Sequence, residues 1–520
     1  METVETLLVL VAACIVFAVL ARLWKLPYAV VLVLGGMVIA LVPGVPQVHL
    51  DPEIALAFFL PPLLQASAYR TDWRAFRGNL RPILLLAVGA VMFTTACVAV
   101  VAKALVPDMP WAAAIALGAI VAPPDSVAAA AVLQRLRIPR RLVIILEGES
   151  LINDAAALVI YRAAVATVAM GMMEWTPGDF FYVALGGIAA GWLVGRAAVF
   201  VIARLKDTMM ETVVSFLACY AAFLGAEQIH VSGVIAVVAA GLVLGRAQHR
   251  FSARTRAESR TVWEFIEFVL NSLVFILIGL QLNQIIERTE NIDLWRLLLI
   301  ALAVSLMLIV SRFVWVFPSM WLPRQIPAIR RADHMPPWSH GVVLSWAGMR
   351  RVVSLAAALA LPTGFPHRDL IVFLAFCAIL ATLVLQGTTL EWLIRRLGVE
   401  EKRRTTMPTE EAAARAIVAH AAFAEMERRA QDVLAGAIAR DLLPEFQDRV
   451  RLLDGIGSGA VAAERAARLE LRLHALRAAR EGLLGHHERT GMEEVLLARL
   501  TEELDLEELR LRRLLGAADA

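Results

Sequence analysis

Read for hydropathy, residues 1–400 are long apolar runs broken by short polar segments, while residues 401–520 mix Ala, Leu, Arg and Glu. Thirteen apolar runs can be marked, at roughly 5–21, 28–43, 53–69, 82–105, 111–134, 142–170, 180–203, 210–226, 230–246, 262–285, 294–322, 338–362 and 369–394, and most are long enough to cross a bilayer as a helix. Charge fixes how they alternate. With the N-terminus outside, six inner loops carry Arg22 and Lys25; Arg70, Arg74, Arg77 and Arg81; Arg135, Arg137, Arg140 and Arg141; Arg204 and Lys206; Arg246, Arg250, Arg254, Arg256 and Arg260; and Arg324, Arg330 and Arg331. The outer loops carry only Lys103, Arg288 and Arg368. A miscount by one would scramble this asymmetry, so the pattern predicts thirteen crossings with the N-terminus outside and the C-terminus in the cytoplasm.

That parity has a structural consequence. Spans 1–6 and 8–13 enter from opposite sides, which allows two six-helix repeats of inverted topology joined by span 7. Such repeats are the common plan of secondary transporters, whose sites lie at the midplane beside broken helices. Two spans look broken. Span 5 contains Pro123, Pro124 and Asp125, where the prolines remove backbone donors, and span 12 carries Arg350 and Arg351 inside an apolar run. Pro61 and Pro62 suggest a further kink in span 3.

Composition adds a boundary. The chain is 59% apolar, yet residues 401–520 hold 19 of its 50 basic and 22 of its 47 acidic residues. This predicts an all-α polytopic membrane domain over residues 1–398 and a soluble, cytoplasmic helical tail over residues 399–520. The basic residues follow the first apolar run, the reverse of a signal peptide, so that run reads as a retained helix. Cys14, Cys97, Cys219 and Cys377 all lie in apolar spans and read as small core residues. No phosphate-binding loop or metal-ligand cluster is present in the sequence, so transport would be driven by an ion gradient, with no cofactor and no nucleic-acid partner.

The chemistry concentrates in EGESLIND, residues 147–154. Ionisable groups at membrane depth are costly and usually mark an ion or proton path. On a helix, Ser150 and Asp154 share one face and Glu149 and Asn153 another. Asp154 and Asp125 are the candidate ligands: a poorly solvated carboxylate can hold either a proton or a hard cation, and that competition couples the two. Ser150 would add a hydroxyl ligand and Asn153 would orient the site. Asp125 can also be read as a helix cap, and Ser150 as a packing residue. Glu149 and Arg350 are expected to form a buried ion pair, since either alone would be costly. Glu147 reads as a funnel residue, and Glu264 and Glu267 as funnel or surface. An intramembrane protease is excluded: neither Asp lies in a Gly-x-Gly-Asp context, and neither Ser150 nor His230 suggests a nucleophile pair.

These motifs resemble those of the sodium/proton exchanger family, the bacterial NhaP-type and animal NHE-type antiporters. The stretches are FFLPPLLQASA from Phe58, GAIVAPPDSVAAAAVL from Gly118, EGESLINDAAALV from Glu147, EFVLNSLVFILIGLQL from Glu267 and WAGMRRVVSLAAALALP from Trp346. The resemblance implies a thirteen-helix inverted-repeat fold, a homodimer in a bacterial inner membrane and elevator-like alternating access. It implies exchange of Na⁺, or of Li⁺ or K⁺, for H⁺, with Asp154 as the exchanging carboxylate, Asn153 its partner, and Ser150 and Asp125 further ligands. Asn at position 153 goes, in related exchangers, with electroneutral exchange. The chain departs from the family at Pro124, Gln65 to Ser67 and Arg351, where Thr, Phe-Glu-Ala and Gly are usual. A Na⁺-coupled solute transporter on a similar scaffold is the alternative, and it would need a larger polar cavity.

Overall fold

The computed structural model describes residues 2–24, 26–42, 52–125, 129, 133, 136, 138–170, 177–205, 207–251, 253–281, 294–350, 353–362, 364–399, 409–431, 436–454, 459–490 and 494–516. The described residues are helical and contain no strand. The chain divides into two compact units, Met1–Glu400 and Glu401–Ala520.

The first unit holds α1 (Glu2–Trp24), α2 (Tyr28–Ala40), α3 (Pro52–Arg70), α4 (Leu80–Leu105), α5 (Trp111–Val121), α6 (Arg140–Met170) and α7 (Pro177–Ile202). It continues with α8 (Thr208–Gln228), α9 (Gly233–Arg246), α10 (Ala253–Leu280), α11 (Leu294–Trp321), α12 (Trp338–Trp346), α13 (Val353–Leu359) and α14 (Arg368–Leu397). Six segments, in α4, α7, α8, α10, α11 and α14, are long and apolar enough to cross a membrane, and α1, α2, α5 and α9 contain shorter apolar ones. Span 12 is broken into α12 and α13, with the extended backbone at Met349 and Arg350 between them. α5 likewise stops before Pro123. α3, by contrast, stays helical through Pro61 and Pro62. In α4 the helix widens to a π-type turn over Leu85–Ala90, and the Trp315 indole N–H donates to the Leu85 carbonyl there at 2.8 Å.

These helices sort into two packed groups. α1, α2, α3, α7, α8, α9 and α10 pack chiefly against one another, as do α4, α5, α6, α11, α12, α13 and α14. Close approach of small residues makes the first group dense. A Cβ built on Gly36 would lie 2.3 Å from the Ile276 carbonyl oxygen, and one on Gly279 2.3 Å from that of Val33, so α2 and α10 touch backbone to backbone. The groups meet where α3 packs on α13 and α6, α9 on α6, and α2 on α14.

The second unit is a set of amphipathic helices: α15 (Thr409–Arg429), α16 (Gly436–Asp454), α17 (Gly459–Thr490) and α18 (Glu494–Gly516). α17 and α18 pair through Leu469, Leu473 and Leu511 and through Arg480, which bridges to Asp505 and Glu508. Hydrogen bonds from Arg512 and Arg480 hold the Glu508 carboxyl below the usual carboxylate range.

Candidate functional site

The site is built where the two breaks cross. Pro123 and Pro124 cannot continue a helix, so the carbonyls at the end of α5 lose their usual donors. The crossing chain supplies replacements. Pro124 and Arg350 lie opposite each other in an isolated antiparallel bridge, and the Asp125 N–H donates to the Met349 carbonyl at 2.6 Å. Asn153 of α6 donates its amide Nδ2 to the Pro124 carbonyl at 2.9 Å, which ties the polar helix to the break. The Arg350 guanidinium, 1% exposed, donates to the carbonyls of Ala122 and Leu308, and its backbone N–H donates to the Thr382 hydroxyl at 3.2 Å.

Glu149 and Arg350 do not form the expected ion pair. Glu149 instead accepts both arms of Arg312, at 2.6 and 2.8 Å, and this pair is buried at 1% and 3% side-chain exposure. The Arg312 Nε also donates to the Leu344 carbonyl at 3.0 Å, capping the end of α12. The reason is geometric: Arg312 presents a planar fork to a carboxylate that needs two donors, whereas Arg350 is spent on the carbonyl at the C-terminal end of α5 and on the Leu308 carbonyl within α11. Gly348 makes room for this brace, since a Cβ there would lie 2.4 Å from the Arg312 Cδ. Arg312 was legible only as a lone cation in the apolar run LIVSRFVWVF, with nothing to say which acid it meets.

Asp125, Ser150, Asn153 and Asp154 are all buried. Of the four, Asp154 lines a cavity of about 110 Å³, which gives space for several waters at roughly 10–15 Å³ each. Its walls include Leu60 of α3, Phe223 of α8 and Val234 of α9 from one helix group, and Ile120 of α5, Tyr161 of α6 and Ser354 of α13 from the other. The carboxylate therefore sits at the boundary between the groups. Arg162, one further turn beyond Leu158 on the same wall, pairs with Glu227 of α8 at 2.8 and 2.9 Å. Asn153 Oδ1 is buried and finds no partner among the described residues.

The outlying acids behave differently. Glu147 is exposed, Glu264 pairs with Arg260 on the surface, and Glu267 takes a bidentate pair from Arg70. Ala66, where the family pattern has an acid, is buried, and its neighbour Gln65 is fully buried and donates to the Ser215 carbonyl at 2.5 Å. Arg351 and Ser126 lie outside the described residues.

Two crossed, interrupted helices with a carboxylate opening on a cavity at a group boundary define a membrane-embedded ion-handling bundle. The chain belongs to the transmembrane sodium/hydrogen exchanger family, whose profile matches residues 8–396. An uncharacterised Na⁺/H⁺ exchanger of Mycobacterium tuberculosis is 33% identical over 98% of this chain and 96% of its own length. A sodium, potassium, lithium and rubidium/H⁺ antiporter of Bacillus subtilis is 33% identical over 70% of this chain and 57% of its own. Among solved structures, the sodium proton antiporter MjNhaP1 of Methanocaldococcus jannaschii superposes with a TM-score of 0.61 at 19% identity, covering 77% of this chain and all of that one. The chain is thus a multi-pass membrane protein of a cation/proton antiporter family.

Proposed function

We propose that the chain exchanges a monovalent cation, Na⁺ foremost and Li⁺ or K⁺ as competitors, for H⁺ at Asp154. In this reading Asp154 binds proton and cation in turn, Asp125 and Ser150 contribute further oxygens, and Asn153 holds the broken helix in register. The observation that carries it is Asp154 itself, buried but facing a cavity walled by both helix groups. Sliding of one group past the other would move that carboxylate between the two membrane faces, which is elevator-like alternating access. The arrangement of α4–α6 with α11–α14, seven spans apart in the order read from the sequence, supports two inverted repeats and thirteen crossings. The orientation with the N-terminus outside, the homodimer and the bacterial inner membrane belong to the same proposal. A cavity with one carboxylate and mostly apolar walls suits a small cation better than an organic solute.

One ionisable side chain next to a neutral amide also supports electroneutral exchange. A cation replaces a proton on Asp154, and Asn153 carries no charge to titrate. The test uses everted membrane vesicles with an imposed ΔpH and separate additions of Na⁺, Li⁺ and K⁺. Cation-dependent collapse of ΔpH is expected in the native chain and its loss in Asp154→Asn. Absence of collapse in the native chain would overturn the exchange, and full activity in the variant would overturn the site.

A further inference from the structure

A second cavity lies between α4, α6, α11 and α12, at the helix ends whose flanking loops are rich in arginine. Its walls are largely apolar, among them Leu85, Ile145 and Val316, but Arg81, Arg141, Arg324 and His340 also line it. One carboxylate serves the three arginines. Asp333 accepts from Arg141 at 2.7 Å through Oδ1, and from Arg324 at 2.7 Å and from Arg81 through Oδ2. Each nitrogen of Arg324 is engaged, because Nη1 also donates to the Met320 carbonyl and Nε to the Asp333 carbonyl at 3.3 Å. Arg141 spends Nε on the Asn79 side chain at 3.1 Å. The Nη1 of Arg141, and the Nε and Nη1 of Arg81, have no partner among the described residues. Asp72, the nearby acid in the preceding turn, is engaged by Arg140 at 3.0 Å. Two positive charges are therefore left uncompensated around a partly buried, apolar-walled space.

We propose that this cavity binds a phosphate group, and specifically the phosphate of an acidic membrane lipid. Arg guanidinium forks match phosphate oxygens bidentately, and basic pockets between transmembrane helices are the usual seats of anionic headgroups. The rim favours a lipid over a soluble anion. Trp321 and Trp338 are 55% and 66% exposed beside the cluster, with Leu322, Ile326 and Met335 also exposed, which makes an apolar, aromatic border for acyl chains at the membrane interface. The four helices all belong to the group that carries Asp154, and Arg141 stands in the first turn of α6 itself. A lipid seated here would travel with that helix group.

The test is the melting temperature of the purified full chain in phosphatidylcholine-containing micelles, with and without phosphatidylglycerol, and separately with inorganic phosphate. Phosphatidylglycerol should raise it by about 3–5 °C, a shift expected of a bound ligand in excess over its dissociation constant. The double variant R81Q/R141Q should lose this increment. R74Q/R77Q, which removes two exposed arginines of the same region outside the cavity, should keep it. Asp333→Asn, which removes the competing carboxylate and spares the arginines, should show a larger increment and carries the test if R81Q/R141Q fails to insert. An equal increment in R81Q/R141Q, equal loss in R74Q/R77Q, or a smaller one in Asp333→Asn would overturn the site. The same rise with inorganic phosphate alone would overturn the lipid as its source.

Discussion

Asp154 and Asn153 are neighbours with opposite duties: one side chain faces the cavity, and the other faces the chain that closes it. That division was legible in the sequence, because four-residue spacing on a helix separates the faces and because an acid with an adjacent amide is rare in an apolar run. The partner of Glu149 was not legible. Which buried arginine meets it depends on how α6 and α11 are rotated and on how near α11 lies, and neither follows from spacing within one segment. The pairing predicts that Glu149→Gln or Arg312→Gln alone costs about 3–5 kcal/mol, as breaking a buried pair does. The double variant should lose less than the two single losses combined, and chemical denaturation in micelles would measure both. A Glu149→Gln/Arg350→Gln pair should be closer to additive, since Arg350 is held by carbonyls. Gly348→Ala should also be severe, because the added methyl meets the Arg312 side chain at the point where it caps α12. Loss of folded protein by size-exclusion chromatography would register it.

At the scale of helices, the breaks in spans 5 and 12 were readable from Pro123, Pro124 and the charges near Arg350, whereas span 3 stays helical through Pro61 and Pro62. The difference is tertiary: a proline break becomes an open crossing where another backbone offers replacement partners, as Met349 does for Asp125. The Arg162–Glu227 pair joins α6 to α8 across the group boundary and borders the cavity that Asp154 lines. Glu227 also accepts from the Gly233 N–H at 3.1 Å, which anchors it to the start of α9. If the groups slide, this pair must part in each cycle. Cysteines at positions 162 and 227, in a chain whose native cysteines are replaced, should stop exchange when joined by a short thiol crosslinker and recover when it is cleaved. Continued exchange with complete crosslinking would show that α6 and α8 keep their spacing.

At the scale of the molecule, hydropathy predicts a helical membrane unit followed by a charged tail, and the chain divides into two compact units after Glu400. Grouping of the helices was beyond the reach of hydropathy, since each apolar run looks much like another and only packing tells which are neighbours. The family match at residues 8–396 lies within the first compact unit. A chain ending at Glu400 is therefore expected to insert and to retain cation-dependent ΔpH collapse, and loss of exchange in a stably inserted truncation would assign the tail an obligatory part. Electroneutrality also belongs to this scale. Clamping the membrane potential with valinomycin and K⁺ should leave the Na⁺-driven rate unchanged in the native chain, while Asn153→Asp should make it sensitive.

The crossing of the two broken segments also sets a timetable for biogenesis. Ala122 and the Arg350 guanidinium that it receives are 228 residues apart. At roughly 5–20 residues per second, a ribosome needs on the order of 10 to 50 seconds to supply the second after the first. Throughout that interval the interrupted end of α5 has the Asn153 amide within reach but still lacks the Arg350 guanidinium. Chains arrested before Met349 are therefore expected to be degraded faster than chains arrested beyond Leu397, a difference that pulse-chase labelling of the two would measure.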